Sequence, residues 1–306
     1  MNRQTFWGDV IKYRTLLLML LPAVLFFILF AYVPMAGIVL AFKQFNYDGG
    51  IFGSPWNGLD NFKFFFDSGD AWRVTRNTAL YNIAFILVNN VLQICAAILL
   101  FEAVGKWFRK LMQTALFLPY FISWVVVGAI AYNLFNFDVG TVNVLLKGLG
   151  MEPVDIYNTS AYWPVILVAV SAWKTLGYGS VMYLAAITSI DTEMYEAAEI
   201  DGANIFQRIV KITVPNLYPT LIILVLLAIG NIFRGDFGMF YNMVGNNGLL
   251  FSSTDVIDTF VFRSLTTSNE IGMSAAAGFY QSVLGFGTIM LANYAVRKYD
   301  GDRALF

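Results

Sequence analysis

Histidine is absent from this chain of 306 residues, and cysteine occurs once, at position 95. A disulfide within the chain is therefore excluded, and a His- or Cys-based metal site has almost nothing to build on. Charge is also scarce. Only 13% of residues are Asp, Glu, Lys or Arg, and the net charge is −1, whereas a soluble domain carries about 25% charged residues. Nucleic acid needs a basic face to neutralise its phosphates, and a chain with this balance offers none. Two chemical signatures are missing as well: the G-x4-G-K-[ST] phosphate loop and the G-x-S-x-G nucleophile elbow.

What is present is apolar. Hydrophobic residues make up 58% of the chain and aromatics 17%, with 28 Phe and 16 Tyr, as expected of a bilayer protein with interfacial rings. Arg3, Lys12 and Arg14 precede a hydrophobic run from Leu16 to Phe42. That run exceeds the ~7–15 residues of a signal-peptide core and no A-x-A-like site follows it, so it is expected to be a membrane span.

A helix needs about 20 mostly apolar residues to cross the hydrocarbon core. Six stretches qualify: 15–42, 75–101, 112–137, 161–189, 216–240 and 273–296. The expected fold is an all-α membrane protein with a single transmembrane domain over 1–306. The segments 1–14, 102–111, 190–215 and 297–306 together hold eleven Lys/Arg in 60 residues, and the intervening loops six in 89. Positive charge gathers on the cytoplasmic side, which places both termini and the 190–215 loop inside. The outer loops are turn-rich and aromatic, and 60–66 is predicted to be a short interfacial helix. Cys95 falls in an apolar span and is expected to pack there.

Residues 196–215 read EAAEIDGANIFQRIVKITVP. Asp191 or Thr192 can cap a helix starting near Glu193, whose carboxylates suit the positive helix end. Gly202 stands where a helix ends in a left-handed residue. A second helix over about 204–213 has Ile205, Ile209 and Ile212 on one face, and Pro215 and Pro219 close the unit and open the next span. The result is a helix–turn–helix knob outside the lipid, although an amphipathic loop on the headgroups is the plainer alternative.

The spacing Glu196-Ala197-Ala198, then Gly202, then Ile212 and Pro215, resembles the E-A-A-x3-G-x9-I-x-L-P loop of ABC-importer permeases, with Val214 at the Leu position. The tail, six spans and loop are similar to the carbohydrate-uptake subfamily. Leu21-Pro22, Tyr32-Val33-Pro34, Phe42-Lys43 and Asn61-Phe62 are similar to the LplB-type oligosaccharide permeases. The resemblance implies a type I importer architecture in the bacterial cytoplasmic membrane. It also implies a second homologous permease, two cytoplasmic ATPase subunits carrying ATP and Mg²⁺, an extracellular solute-binding protein, and a sugar substrate. This chain would hold no cofactor or metal and no catalytic residue. By the same resemblance Glu196 pairs with a basic residue of the ATPase, Gly202 makes the turn, Ala197 and Ala198 pack in its groove, and Asp201, Ala203, Ile212 and Pro215 complete the coupling segment.

Polar residues inside spans are costly and point to function. Asn89, Asn90 and Gln93, then Trp173, Lys174 and Tyr178, then Asn231, and Gln281 with Ser282, are candidate walls of a translocation cavity. Their alternative is inter-helix hydrogen bonding without solute. Arg234 and Asp236 are read as an outer gate or an interfacial ion pair. Gly177, Gly179 and Ser180, and Gly278, Gly285 and Gly287, are expected to allow close helix packing. An importer for another solute stays open. An ion-coupled carrier would want a carboxylate near a span centre, and none is there.

Overall fold

Backbone amides inside lipid can be satisfied only within helices or a closed barrel. The computed structural model describes residues 12–103 and 105–299, so of the predicted tails, 1–14 and 297–306, residues 1–11 and 300–306 lie outside the described residues. Among the described residues the backbone is helical, with one isolated bridge between Lys43 and Trp56. The face bearing residues 190–215 is called inner here, and the opposite face outer.

Helix α1 spans Arg14–Phe42. Residues 14–36 are exposed throughout, and only the stretch Ala36–Phe42 packs on the rest of the chain. Its outer end is tied by Asn61, whose side-chain amide donates to the carbonyls of Ala41 and Lys43 at 3.0 Å. The short helix α2, Asp60–Asp67, is present as predicted, but Phe65 is fully buried, so it is part of the fold rather than a float on lipid. Helix α3 is Asp70–Glu102.

The predicted third span, 112–137, is two helices, α4 (Lys106–Phe121) and α5 (Trp124–Phe135), bent by 93° at Ile122–Ser123. Pro119 in the last turn of α4 cannot donate a backbone hydrogen bond, and Ser123 restarts the chain by accepting from the Val126 amide at 3.4 Å. Helices α6 (Thr141–Gly148) and α7 (Ser160–Thr188) follow. Then come α8 (Thr192–Ile200), α9 (Ile205–Ile229), α10 (Phe237–Val244), α11 (Ile257–Thr266) and α12 (Ile271–Tyr299).

The fifth span also departs from expectation. It starts at Ile205 rather than 216 and stops at Ile229 rather than 240. Pro215 does not end the knob helix, because a π-turn over Ile209–Thr213 widens the backbone just before it. That widening makes room where the proline ring would press on the carbonyl four residues back. The same device, Ile28–Tyr32, precedes Pro34 in α1. At the other end Asp236 turns away to cap α10, accepting from the Met239 amide at 3.0 Å.

The bundle is built around α7, which lies along α3 on one side and α4 on the other. Its glycines set these approaches: a Cβ at Gly177 would meet the Leu116 carbonyl, and one at Gly179 the Gln93 side chain. A Cβ at Gly278, Gly285 or Gly287 would instead face open space, so the close helix packing expected of them is not seen among the described residues. The larger apolar clusters sit toward the outer side. One gathers Tyr81, Trp163, Phe240 and Val256, and another Phe65, Val74 and Phe260. The inner cluster is small, centred on Tyr183, Ile187 and Leu217. Cys95 is exposed on an apolar groove rather than packed inside.

Candidate functional site

The knob is held by local chemistry. Asp191 caps α8 by accepting from the Glu193 amide at 3.0 Å. At the other end the Ala203 amide reaches the Ala198 carbonyl at 2.9 Å and the Gly202 amide reaches Glu199 at 3.0 Å, a Schellman turn. Gly202 takes φ +78°, and nothing lies within 4 Å of where its Cβ would be. Glycine is required there by backbone conformation, not by crowding. Asn204 and Gln207 then form a reciprocal capping box at 2.9 Å in both directions, which fixes the start of α9.

Two further ties close the knob on itself. Arg208 meets Glu199 at 3.4 Å, and the hydroxyls of Tyr195 and Thr213 lie 3.0 Å apart. The Tyr195 ring also rests on Phe101 at the inner end of α3. Glu196, Ala197, Asp201 and Gly202 are exposed, Ala198 and Ala203 half-buried, and Ile212 and Pro215 lie on the shaft leading into the bundle. Ile200 is 87% exposed and Phe206 73%. Two large apolar side chains left this exposed at the turn suit docking onto a partner.

The polar residues of the spans do not converge on one cavity. Lys174 is buried, and its ammonium donates to the carbonyls of Pro119 and Tyr120 at 3.1 and 3.0 Å and to that of Ile122. It also lies 5.0 Å from the Trp124 ring. The Pro119 carbonyl also accepts from the Ile122 amide at 3.2 Å, whereas those of Tyr120 and Ile122 lie at the α4–α5 break where helical partners run out, so the lysine fastens the bend to α7. Tyr178 stacks on Tyr120 at 4.6 Å beside the same bend. Trp173 points elsewhere, into a groove walled by Val88, Leu92 and Val165. The trio is thus divided among different surfaces.

The three candidate amides of α3 each meet a group on α7. Asn89 donates to Ser171 at 3.2 Å, Gln93 to the Thr175 carbonyl at 3.3 Å, and Asn90 accepts from the Tyr183 hydroxyl. Asn231, Arg234, Gln281 and Ser282 do come together, around a cavity of about 340 Å³ between the outer end of α9 and α12. Arg234 and Asp236 form no ion pair among the described residues. Asp236 caps α10, while the Arg234 carbonyl accepts from Asn82 at 3.0 Å.

Sequence reasoning missed the main polar centre of the outer layer. Asp255 is fully buried and takes both Arg263 guanidinium nitrogens at 2.9 and 2.7 Å, Arg73 at 3.1 Å and the Thr259 hydroxyl at 3.0 Å. Arg263 in turn covers the Phe251 ring at 4.0 Å. Nearby, the Asp258 carboxylate accepts from the Gly235 amide at 2.6 Å and Gln281 at 2.9 Å. Burial nevertheless pushes its pKa above the usual carboxylate range.

A helical bundle with a braced knob between its fourth and fifth spans defines a membrane permease of the importer type. Residues 89–301 match the binding-protein-dependent transport system inner membrane component family, and the chain belongs to it. Protein LplB of Bacillus subtilis is 35% identical over 289 residues, covering 94% of this chain and 90% of that protein. The polygalacturonan/rhamnogalacturonan transport system permease protein YteP of the same organism is 30% identical over 305 residues, covering 100% and 94%. Among solved structures, a bacterial ABC transporter involved in the import of the acidic polysaccharide alginate matches with a TM-score of 0.87 at 31% identity, covering 96% of this chain and 99% of that one. The fold is that of a type I ABC-importer permease.

Proposed function

We propose that this permease is the non-catalytic membrane subunit of an ATP-driven importer that moves an oligosaccharide delivered by an extracellular solute-binding protein. The observation that carries the reading is the knob. It is exposed at Glu196 and Ala197, stiffened by a Schellman turn and a capping box, and joined to the fifth span without a helical break. A push on its tip travels along α9 into the bundle. The engine is a pair of separate cytoplasmic ATPase subunits that bind ATP and Mg²⁺, because the chain has no phosphate loop of its own.

The remaining partners have support of different kinds. A second permease subunit completes the pathway, since the cavity between α9 and α12 is open and most of α1 is exposed along its length. The match to an alginate transporter in complex with alginate pentasaccharide-bound periplasmic protein supports delivery by a solute-binding protein. Relatives named for polygalacturonan/rhamnogalacturonan and for arabinooligosaccharides support a saccharide cargo. The Lys/Arg distribution supports cytoplasmic termini and a cytoplasmic knob. ATP closes the ATPase dimer, the knobs approach one another, and the outer side opens to receive solute; hydrolysis resets the inward-facing state.

Co-purification tests this. Detergent extraction of the native chain should bring down ATPase activity, and Glu196→Ala or Gly202→Asp should release it while the permease stays monodisperse. Transport that survives in ATP-depleted vesicles and follows an ion gradient would replace the importer with a secondary carrier.

A further inference from the structure

The cavity between α9 and α12 has an uneven supply of hydrogen-bonding groups. Asn231 spends its amide NH₂ on the Leu227 carbonyl at 3.1 Å. Gln281 spends its own on Phe233 and Asp258 at 2.7 and 2.9 Å, and Ser282 donates to Gly278 at 2.9 Å. Their oxygens remain to accept from a ligand, as hydroxyl-rich solutes require. Phe233 and Phe286 add apolar walls.

Arg234 is the exception in this lining. Its backbone is pinned on both sides, the amide to Asn231 at 2.8 Å and the carbonyl to Asn82 at 3.0 Å. Its guanidinium has no carboxylate within ion-pair distance among the described residues. The two acids nearby are otherwise engaged. Asp236 faces away to cap α10, and Asp258 is held by Gly235 and Gln281. Asp258 feels the Arg234 charge, which acts on its carboxyl against the larger effect of burial, but the two do not meet in an ion pair among the described residues. A guanidinium stays charged at any working pH and suits a planar, bidentate acid group. Setting one among amide oxygens and aromatic walls is costly for a neutral sugar and favourable for an anionic one.

We propose that the transported oligosaccharide contains uronate residues, with a solute carboxylate pairing with Arg234 while sugar hydroxyls donate to the Asn231, Gln281 and Ser282 oxygens. This inference rests on the importer reading above and specifies its cargo. The test uses the whole complex in detergent without binding protein, so that selectivity of that partner does not enter. Binding of trigalacturonate and trimannuronate is compared by calorimetry with binding of their fully methyl-esterified forms, which keep rings and hydroxyls but lose the charge. Wild type should bind at least one free acid roughly tenfold or more tighter than its ester, the scale of a charge-assisted hydrogen bond. Arg234→Gln should abolish that preference and leave ester binding in place, and Arg234→Lys should keep part of it. Equal affinity for acid and ester, a preference that persists in Arg234→Gln, or no binding of either form to wild type overturns the proposal. In each of those cases ATPase co-purification still reports on the importer reading by itself.

Discussion

The knob and the outer layer solve the same problem, rigidity, by opposite means. In the knob every polar tie closes within 18 residues: Asp191 to Glu193, Asn204 to Gln207, Glu199 to Arg208, Tyr195 to Thr213. In the outer layer Asp255 reaches Arg73 across 182 positions, and Asn77 reaches the Asp255 carbonyl across 178. The knob's polar ties therefore need no distant part of the chain, whereas those of the outer layer need segments far apart in sequence to be brought together. A lever that must move relative to its surroundings gains from local bracing. A frame that must hold several helices in register gains from ties that span the chain. The two regions should accordingly fail in different ways when a tie is cut.

The largest effect belongs to the frame. Asp255→Ala leaves Arg263 without a carboxylate, Arg73 keeping Asp70 at 2.6 Å, in a site where Asp255 itself is fully buried. Breaking a buried pair by removing one partner costs about 3–5 kcal/mol. The expected outcome is a large fall in the melting temperature of the purified complex, or loss of folded permease from the membrane. Lys174→Met comes next. It strands the carbonyls of Tyr120 and Ile122 at the α4–α5 bend, while that of Pro119 keeps the Ile122 amide, and a buried group left unsatisfied costs about 1–3 kcal/mol. The loss should show as lower thermal stability in the absence of any solute. A variant with unchanged stability and a specific transport defect would return Lys174 to the solute pathway.

That contrast also explains what could be read from the chain in advance. Helix existence, the orientation expected from charge, and the knob with its Gly202 turn follow from composition and spacing within about twenty residues. The bend in the third span was hidden because its cause is divided: Pro119 sits in one helix, and the donor that satisfies the opened carbonyls, Lys174, comes 55 positions later. Apolarity across 112–137 is continuous over that bend, so hydropathy reports one span. Likewise Asp255 is flanked by Thr254 and Val256 and gives no local sign of two arginine partners. The polar residues of α3 were visible as unusual, but their helical positions could not say whether they faced a cavity or α7. The end of the fifth span failed for a related reason, since Asp236 acts as a cap for α10, a helix that apolar content merges with α9.

Smaller effects belong to the lever. Gly202→Ala places a Cβ in open space but keeps φ at +78°, so only the left-handed backbone is penalised, by about 1–2 kcal/mol. The melting temperature of the complex should hardly move, while amide exchange across residues 192–208 quickens and coupling of ATP hydrolysis to transport falls. Gly202→Asn, which tolerates that conformation better, should lie between wild type and alanine. A fall in global stability equal to that of Asp255→Ala would mean that the knob is part of the frame and the contrast is false.

The smallest effect sharpens the comparison most. Glu199 is 73% exposed and meets Arg208 at 3.4 Å, while Arg208 is only 18% exposed. An exposed pair of this kind is worth about 0.2–1 kcal/mol and is screened by salt. A double-mutant cycle with Glu199→Ala and Arg208→Ala, read by amide exchange in α8, isolates the pair from what each side chain does alone. If local bracing comes from the Schellman turn and the capping box, the coupling should stay below about 1 kcal/mol and shrink at high salt, because a surface ion pair adds little to geometry already fixed by backbone bonds. Coupling well above that, unaffected by salt, would mean that the half-buried Arg208 does what the turn is credited with, and that the knob, like the outer layer, is held by a desolvated charge.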